Sequence, residues 1–105
     1  ASSARARGLI VAHFIVEYRQ LGNSAAREEK RGDHIAYRKG LGARMPLAGP
    51  LLDDAGQPVG SLVIVEAGDR AAAEALAAAD PYVAAGVLEL LSVRGFRIAA
   101  IKPPS

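Results

Sequence analysis

Cysteine is absent from the 105 residues, which removes a disulfide scaffold, a thiolate metal site and a cysteine nucleophile together. Its absence fits a reducing compartment, so a cytoplasmic location is expected. Tryptophan is also absent, and three Tyr, two Phe and one Met leave the core little bulk. No charge of one sign dominates: thirteen Lys and Arg face eleven Asp and Glu, scattered from Arg5 to Lys102, for a formal charge of +2. Nucleic-acid binders gather basic charge on one face or arm, so no nucleic-acid partner is expected. No run is long enough to cross a bilayer. Leu9-Ile10-Val11-Ala12 follows Arg5 and Arg7 like a faint signal peptide, but His13 interrupts it and no small-residue cleavage site follows. No membrane partner is expected.

What remains is half hydrophobic and 23% charged, the composition of a folded chain. A chain this short has room for one core. Residues 1–8 read as a flexible leader, 9–101 as a single domain and 102–105 as a tail. Ala and Gly make up about a third of the chain, and so small-featured a core favours burying more surface in an oligomer.

Period-2 alternation predicts a strand over Leu9–Tyr18. Ile10, Ala12, Phe14, Val16 and Tyr18 share one face; Leu9, Val11, His13, Ile15 and Glu17 share the other. Both faces are largely apolar, so each needs a cover. Gly22-Asn23-Ser24 turns the chain and caps a helix, with Glu28 and Glu29 near its positive end. Gly32 is expected to interrupt that helix. Asp33 then caps a fresh turn, and His34–Leu41 continues until Gly40 and Gly42 end it. On that stretch His34, Tyr37, Arg38 and Leu41 share a side. Pro46 and Pro50 demote Arg44–Leu52 to an edge or broken strand. Asp53–Pro58 is a polar turn, and Gly60–Ala67 the clearest strand. Asp69 caps an alanine-rich helix over Arg70–Ala79. Asp80-Pro81 ends it and caps a short turn closed by Gly86, before a last strand over Val87–Ile98. The order β-α-β-β-α-β is the ferredoxin-like, α+β pattern: an antiparallel sheet with its helices on one face. The bare face predicts a homodimer made sheet to sheet, with His13 as an interface histidine.

Zincin, P-loop and nucleophile-elbow motifs are missing. Gly40-Leu41-Gly42 ends a helix rather than opening one, which makes it a poor dinucleotide fingerprint. His13 and His34 lack the spacing of a helical histidine pair, so no metal and no cofactor are expected. Arg27 and Arg31 read either as solvated partners of Glu28, Glu29 or Asp33, or as a clamp for a carboxylate or phenolate. Ser61 has no base partner in sequence. Tyr82 reads either as a ring capping the core or as a proton donor, and Asp80 either as a plain cap or as a cap that also meets a histidine.

The segments RxxxRxxH, AGPLLDDAGQPVGSLVIVEA and AAADPYVAAGVLELLSV together resemble the YCII-related family of small bacterial proteins, over about Leu9 to Phe96. Gly32 stands where the family often has proline. The resemblance implies a ferredoxin-like fold that dimerises through its sheets, a dimeric α/β barrel. It also implies an active site around a histidine and the aspartate of the DPY element, here His34 and Asp80. One branch of the family resembles enzymes that eliminate chloride from chlorinated hydroxyhydroquinones, a substrate that motif alone does not carry over. The resulting expectation is a lyase or isomerase of proton-transfer type acting on a small oxygenated molecule. His34 would be the general acid/base and Asp80 the carboxylate that fixes its tautomer. Arg27, Arg31, Pro50, Ser61 and Tyr82 would be the substrate-binding set. The alternative is a dimeric module that binds a small molecule without turnover. A third reading, a cofactor-independent oxygenase, rests on fold analogy alone.

Overall fold

The computed structural model describes residues 12–100; the expected leader, Leu9 to Val11 and the tail from Lys102 lie outside them. The described elements are β1 (Ala12–Gln20), α1 (Ser24–Leu41), a 3-10 turn (Gly42–Arg44), β2 (Leu47–Leu52), β3 (Pro58–Ala67), α2 (Arg70–Ala78), α3 (Pro81–Ala84) and β4 (Leu88–Phe96). They build one antiparallel sheet in the order β2-β3-β1-β4. This is the α+β, ferredoxin-like arrangement that the element order implies.

Alternation decides the faces. Phe14, Val16 and Tyr18 of β1 are buried with Val63, Val65 and Ala67 of β3. Ala73 and Ala77 of α2 pack onto them, small enough for the helix to approach closely. β4 needs a correction to strict alternation to join this core. Leu88 and Val93 both belong to it although their numbers differ in parity. A bulge reconciles them: Glu17 pairs with Ser92 and Tyr18 with Leu90, so Leu91 is the extra residue. Without it, a one-residue slip would turn Val93 outward. Leu91 itself is exposed, as are Leu47 and Phe96. The face away from the helices is therefore mixed: these apolar side chains share it with the pairs His13–Glu66 at 3.2 Å, Arg19–Glu89 and Arg94–Glu17.

Several local expectations shift. β1 continues past Tyr18 through Arg19 and Gln20, and Arg44 belongs to the 3-10 turn rather than to β2. Proline begins β3, where a missing N–H is tolerated, and Pro50 sits on edge strand β2. Gly32 does not interrupt α1, which runs unbroken over eighteen residues. Glycine costs a helix only ~1 kcal/mol, which tertiary anchors at both ends of α1 outweigh. Asn23 occupies the N-cap of α1, yet its side chain makes no capping bond. Its amide donates instead to the Ala85 carbonyl at 3.4 Å. Asp69 and Asp80 do cap α2 and α3, accepting from Ala72 N–H and Tyr82 N–H. Gly86 follows α3 at φ 75, a left-handed conformation that a side chain would strain.

α1 differs in kind from α2. Of its residues only Leu41 is buried. Beyond Leu41 and Ala26, which packs against the core, what joins it to the rest is polar: Tyr37 Oη donates to the Leu76 carbonyl at 2.7 Å, and Tyr82 Oη donates to the Arg27 carbonyl at 3.2 Å. His34 and Arg38 add the contacts described below.

Two glycines separate propensity from packing. Gly60 lies where a Cβ would collide with the Tyr18 carbonyl oxygen of the neighbouring strand, whereas nothing lies within 4 Å of one at Gly32. Gly60→Ala should lower stability by ~2 kcal/mol or more, because the obstacle is backbone. Gly32→Ala should raise it by ~0.5–1 kcal/mol. Urea denaturation midpoints of the two variants should move in opposite directions.

Candidate active site

Asp80 enters the site because proline follows it. Pro81 holds Asp80 out of the helical region and starts α3, so the carboxylate turns back over the first N–H groups of that helix. It is 1% exposed. Oδ1 accepts from Tyr82 N–H at 3.0 Å, and Oδ2 accepts from Arg38 Nε at 3.0 Å. His34 Nδ1 lies 2.7 Å from Oδ1 and 2.9 Å from Oδ2. A buried carboxylate with three donors has its acceptor capacity well used.

His34 and Arg38 reach it together because they are four residues apart on α1. The carboxylate only accepts, so Nδ1 must carry the hydrogen and Nε2 of the neutral ring holds the lone pair. Nε2 makes no hydrogen bond among the described residues. The imidazole lies flat on Tyr82, with centroids 3.9 Å apart and planes at 8°. Two restraints thus fix the ring: a hydrogen bond at one nitrogen and a stack across its face.

Arg38 reaches further, with Nη1 3.4 Å from Ser61 Oγ and its guanidinium 5.5 Å from the Tyr18 ring. Burial pushes the Tyr18 phenol well above its ordinary range, against the Arg38 charge, and its Oη donates to the Ala77 carbonyl at 2.8 Å. Burial raises the Tyr37 phenol too, followed by the nearby Asp80 charge. Neither tyrosine is therefore a ready proton acceptor.

A cavity of about 370 Å³ opens beside this cluster. Arg27, His34 and Arg38 line it from α1, Tyr82 from α3, Gly49 and Pro50 from β2, and Pro58, Gly60 and Ser61 from β3. The fold thus gathers Arg27, His34, Pro50, Ser61 and Tyr82 at one cavity, with Asp80 buried behind His34. Arg31 stands apart: it is exposed and outside the lining. It lies about 60° around the helix from His34, turned to the solvent edge. Arg38 was not among the expected site residues, although its place one turn after His34 was the signal for it. Gln20, at the end of β1, also lines the cavity and had no signal in the sequence. Ser61 hydrogen-bonds Arg38 and, among the described residues, meets no base. No group of three or more His, Asp or Glu side chains among the described residues is arranged to hold a metal. No described helix is long and apolar enough to cross a membrane.

Asp80 is therefore more than a cap. Asparagine caps nearly as well as aspartate, so a cap alone would make Asp80→Asn mild. Here the amide would turn a donor toward Arg38 or His34 and leave the guanidinium without its counter-charge. Asp80→Asn should cost ~2–3 kcal/mol, and Asp80→Ala about 1 kcal/mol more, measured by urea denaturation. An Asn variant close to wild type would reduce Asp80 to a helix cap.

Curated proteins include none that matches the chain. Among solved structures, it is similar to 5-chloro-2-hydroxyhydroquinone dehydrochlorinase from Burkholderia phenoliruptrix AC1100, in complex with 2,5-dihydroxybenzoquinone. The two share 24% identity at a TM-score of 0.62, over 81% of this chain and 91% of the other. That likeness concerns the fold. The sequence model of the YCII-related domain matches residues 11–97, a span that takes in α1 and the Asp80 corner, and the chain belongs to the YCII-related family.

Proposed function

We propose that the protein is a small-molecule enzyme of proton-transfer type, a lyase or isomerase, with His34 as general acid/base. The observation that carries this reading is the grip of Asp80 on His34 Nδ1, which leaves Nε2 as the lone-pair nitrogen of a ring that lines the cavity. Nε2 removes a proton from a substrate O–H or C–H. Asp80 stabilises the imidazolium through Nδ1–H without taking the proton itself. In the lyase form the freed electron pair expels an anionic leaving group. In the isomerase form the imidazolium returns the proton to a different atom. The similar solved structure is a dehydrochlorinase holding a dihydroxyquinone, which supports a small oxygenated ring as substrate. A cavity of about 370 Å³ suits a molecule of that size.

His34→Asn tests this directly. The Asn amide can still donate to Asp80, so the fold is kept while the base is removed. On a panel of hydroxylated quinols and quinones, with and without chlorine, wild type should release protons or chloride without consuming oxygen. His34→Asn should lower kcat about 10²–10⁴-fold with a smaller change in ligand affinity. Adding Asp80→Asn to it should cost little more, since the two act as a unit. Oxygen uptake would favour an oxygenase, and saturable binding with no turnover a binding module.

The same reading makes the protein a homodimer through its open sheet faces. Leu47, Leu91 and Phe96 are each at least 41% exposed on that side. Exposed large apolar side chains on one sheet face are the kind of surface that a partner covers. Light scattering at micromolar concentration should give about twice the mass of the 10.9 kDa chain, and a stable 10.9 kDa particle would refute the dimer.

A further inference from the structure

We propose that Arg27 is the residue that selects the ligand by charge, and that the substrate is an organic monoanion whose oxyanion (carboxylate, phenolate or enolate) seats on its guanidinium. This deepens the proton-transfer reading and rests on it for the word substrate.

The argument is a balance of charge at the cavity. Arg27 and Arg38 both line it. Arg38 is matched in charge: its Nε donates to Asp80 and its Nη1 reaches Ser61, although its Nη2, like that of Arg27, is buried without a partner among the described residues. Arg27 forms no ion pair and its side chain makes no hydrogen bond among the described residues. Its guanidinium carbon lies 5.5 Å from the centre of the Tyr82 ring. Its Nη2 is buried without a partner. Glu28 and Glu29 follow it in sequence but point around the helix and are exposed. No carboxylate among the described residues lines the cavity, and Asp80, behind His34, already serves His34, Arg38 and Tyr82 N–H. The lining therefore carries one guanidinium charge in excess, in a partly desolvated place where an unpaired cation is costly. An arriving oxyanion supplies the missing counter-charge and acceptor, and the planar fork fits carboxylate geometry.

The rest of the wall says what is attached to that oxygen. Gly49 and Pro50 of edge strand β2 and Pro58 of β3 face the cavity with no charge, beside the uncharged polar Gln20 and Ser61. The ligand is then a molecule with one charged end toward Arg27 and an apolar body against the prolines, rather than a bare inorganic ion. Arg38 is a positioning residue, which acts through Asp80 on His34.

Isothermal titration with matched probes tests the assignment. Benzoate is compared with benzamide, 4-nitrophenol above with 4-nitrophenol below its own ionisation, and inorganic phosphate stands for an ion without a body. Benzoate and 4-nitrophenolate should bind roughly ten- to a hundredfold more tightly than their neutral forms and more tightly than phosphate. Arg27→Gln should erase that preference while leaving benzamide binding unchanged. Arg27→Lys should keep part of it, since the charge stays and the fork is lost. Added salt should weaken the anions alone. Equal binding of charged and neutral probes, or an anion affinity unmoved by Arg27→Gln, would overturn the proposal. The two readings fail separately. Anion binding that needs Arg27 but no turnover on any panel compound sinks the enzyme and leaves the anchor. Turnover that needs His34 with no anion preference does the reverse.

Discussion

The Asp80 carboxylate is the joint on which the helical layer depends. α1 is a polar helix with one buried residue, so apolar burial cannot hold it over the sheet. Asp80 does much of that work: it caps α3 through Tyr82 N–H and ties α1 down through His34 and Arg38. One side chain thus joins the corner between α2 and α3 to the middle of α1. Groups that in most domains would be solvated decoration here substitute for a second apolar interface.

The electrostatics follow from that joint. A carboxylate this deep is tolerable because its donors are fixed by backbone and helix geometry, not recruited from flexible loops. Tyr82 contributes at three places at once: its N–H is capped by Asp80, its ring backs His34, and its hydroxyl holds the Arg27 carbonyl. The imidazole is consequently held in position before any ligand arrives, which is what proton transfer at a defined atom requires.

Much of this was legible in the chain itself. Aspartate before proline carries its own conformational instruction, so both the Asp80 cap and α3 could be read locally. The alternation of β1 gave its buried face, and β3 was legible as a strand. The meeting of Asp80 with His34, far apart in sequence, came from the family resemblance and not from spacing. Three features resisted because their causes are tertiary. The bulge at Leu91 exists to bring Val93 back onto the core face, a demand set by β1 and invisible in β4 alone. Gly32 looked like a break because local propensity knows nothing of the anchors on either side of it. Arg31 and Arg38 both sit within one turn of His34, and only the position of Asp80 decides which of them faces inward.

The polar attachment of α1 has a kinetic consequence. Elements with few buried apolar contacts open locally at lower free energy than the core, so α1 should part from the rest below the free energy of global unfolding. Amide exchange should therefore divide the molecule, with fast protons along α1 and slow ones in β1, β3 and β4. His34, Arg38 and Arg27 all ride on that helix, so the site is whole only while α1 is seated. Occupancy of the cavity and order in α1 are then one equilibrium: a ligand that bridges α1 to the β2–β3 wall slows exchange along the helix, and part of its intrinsic affinity is spent on holding the helix down.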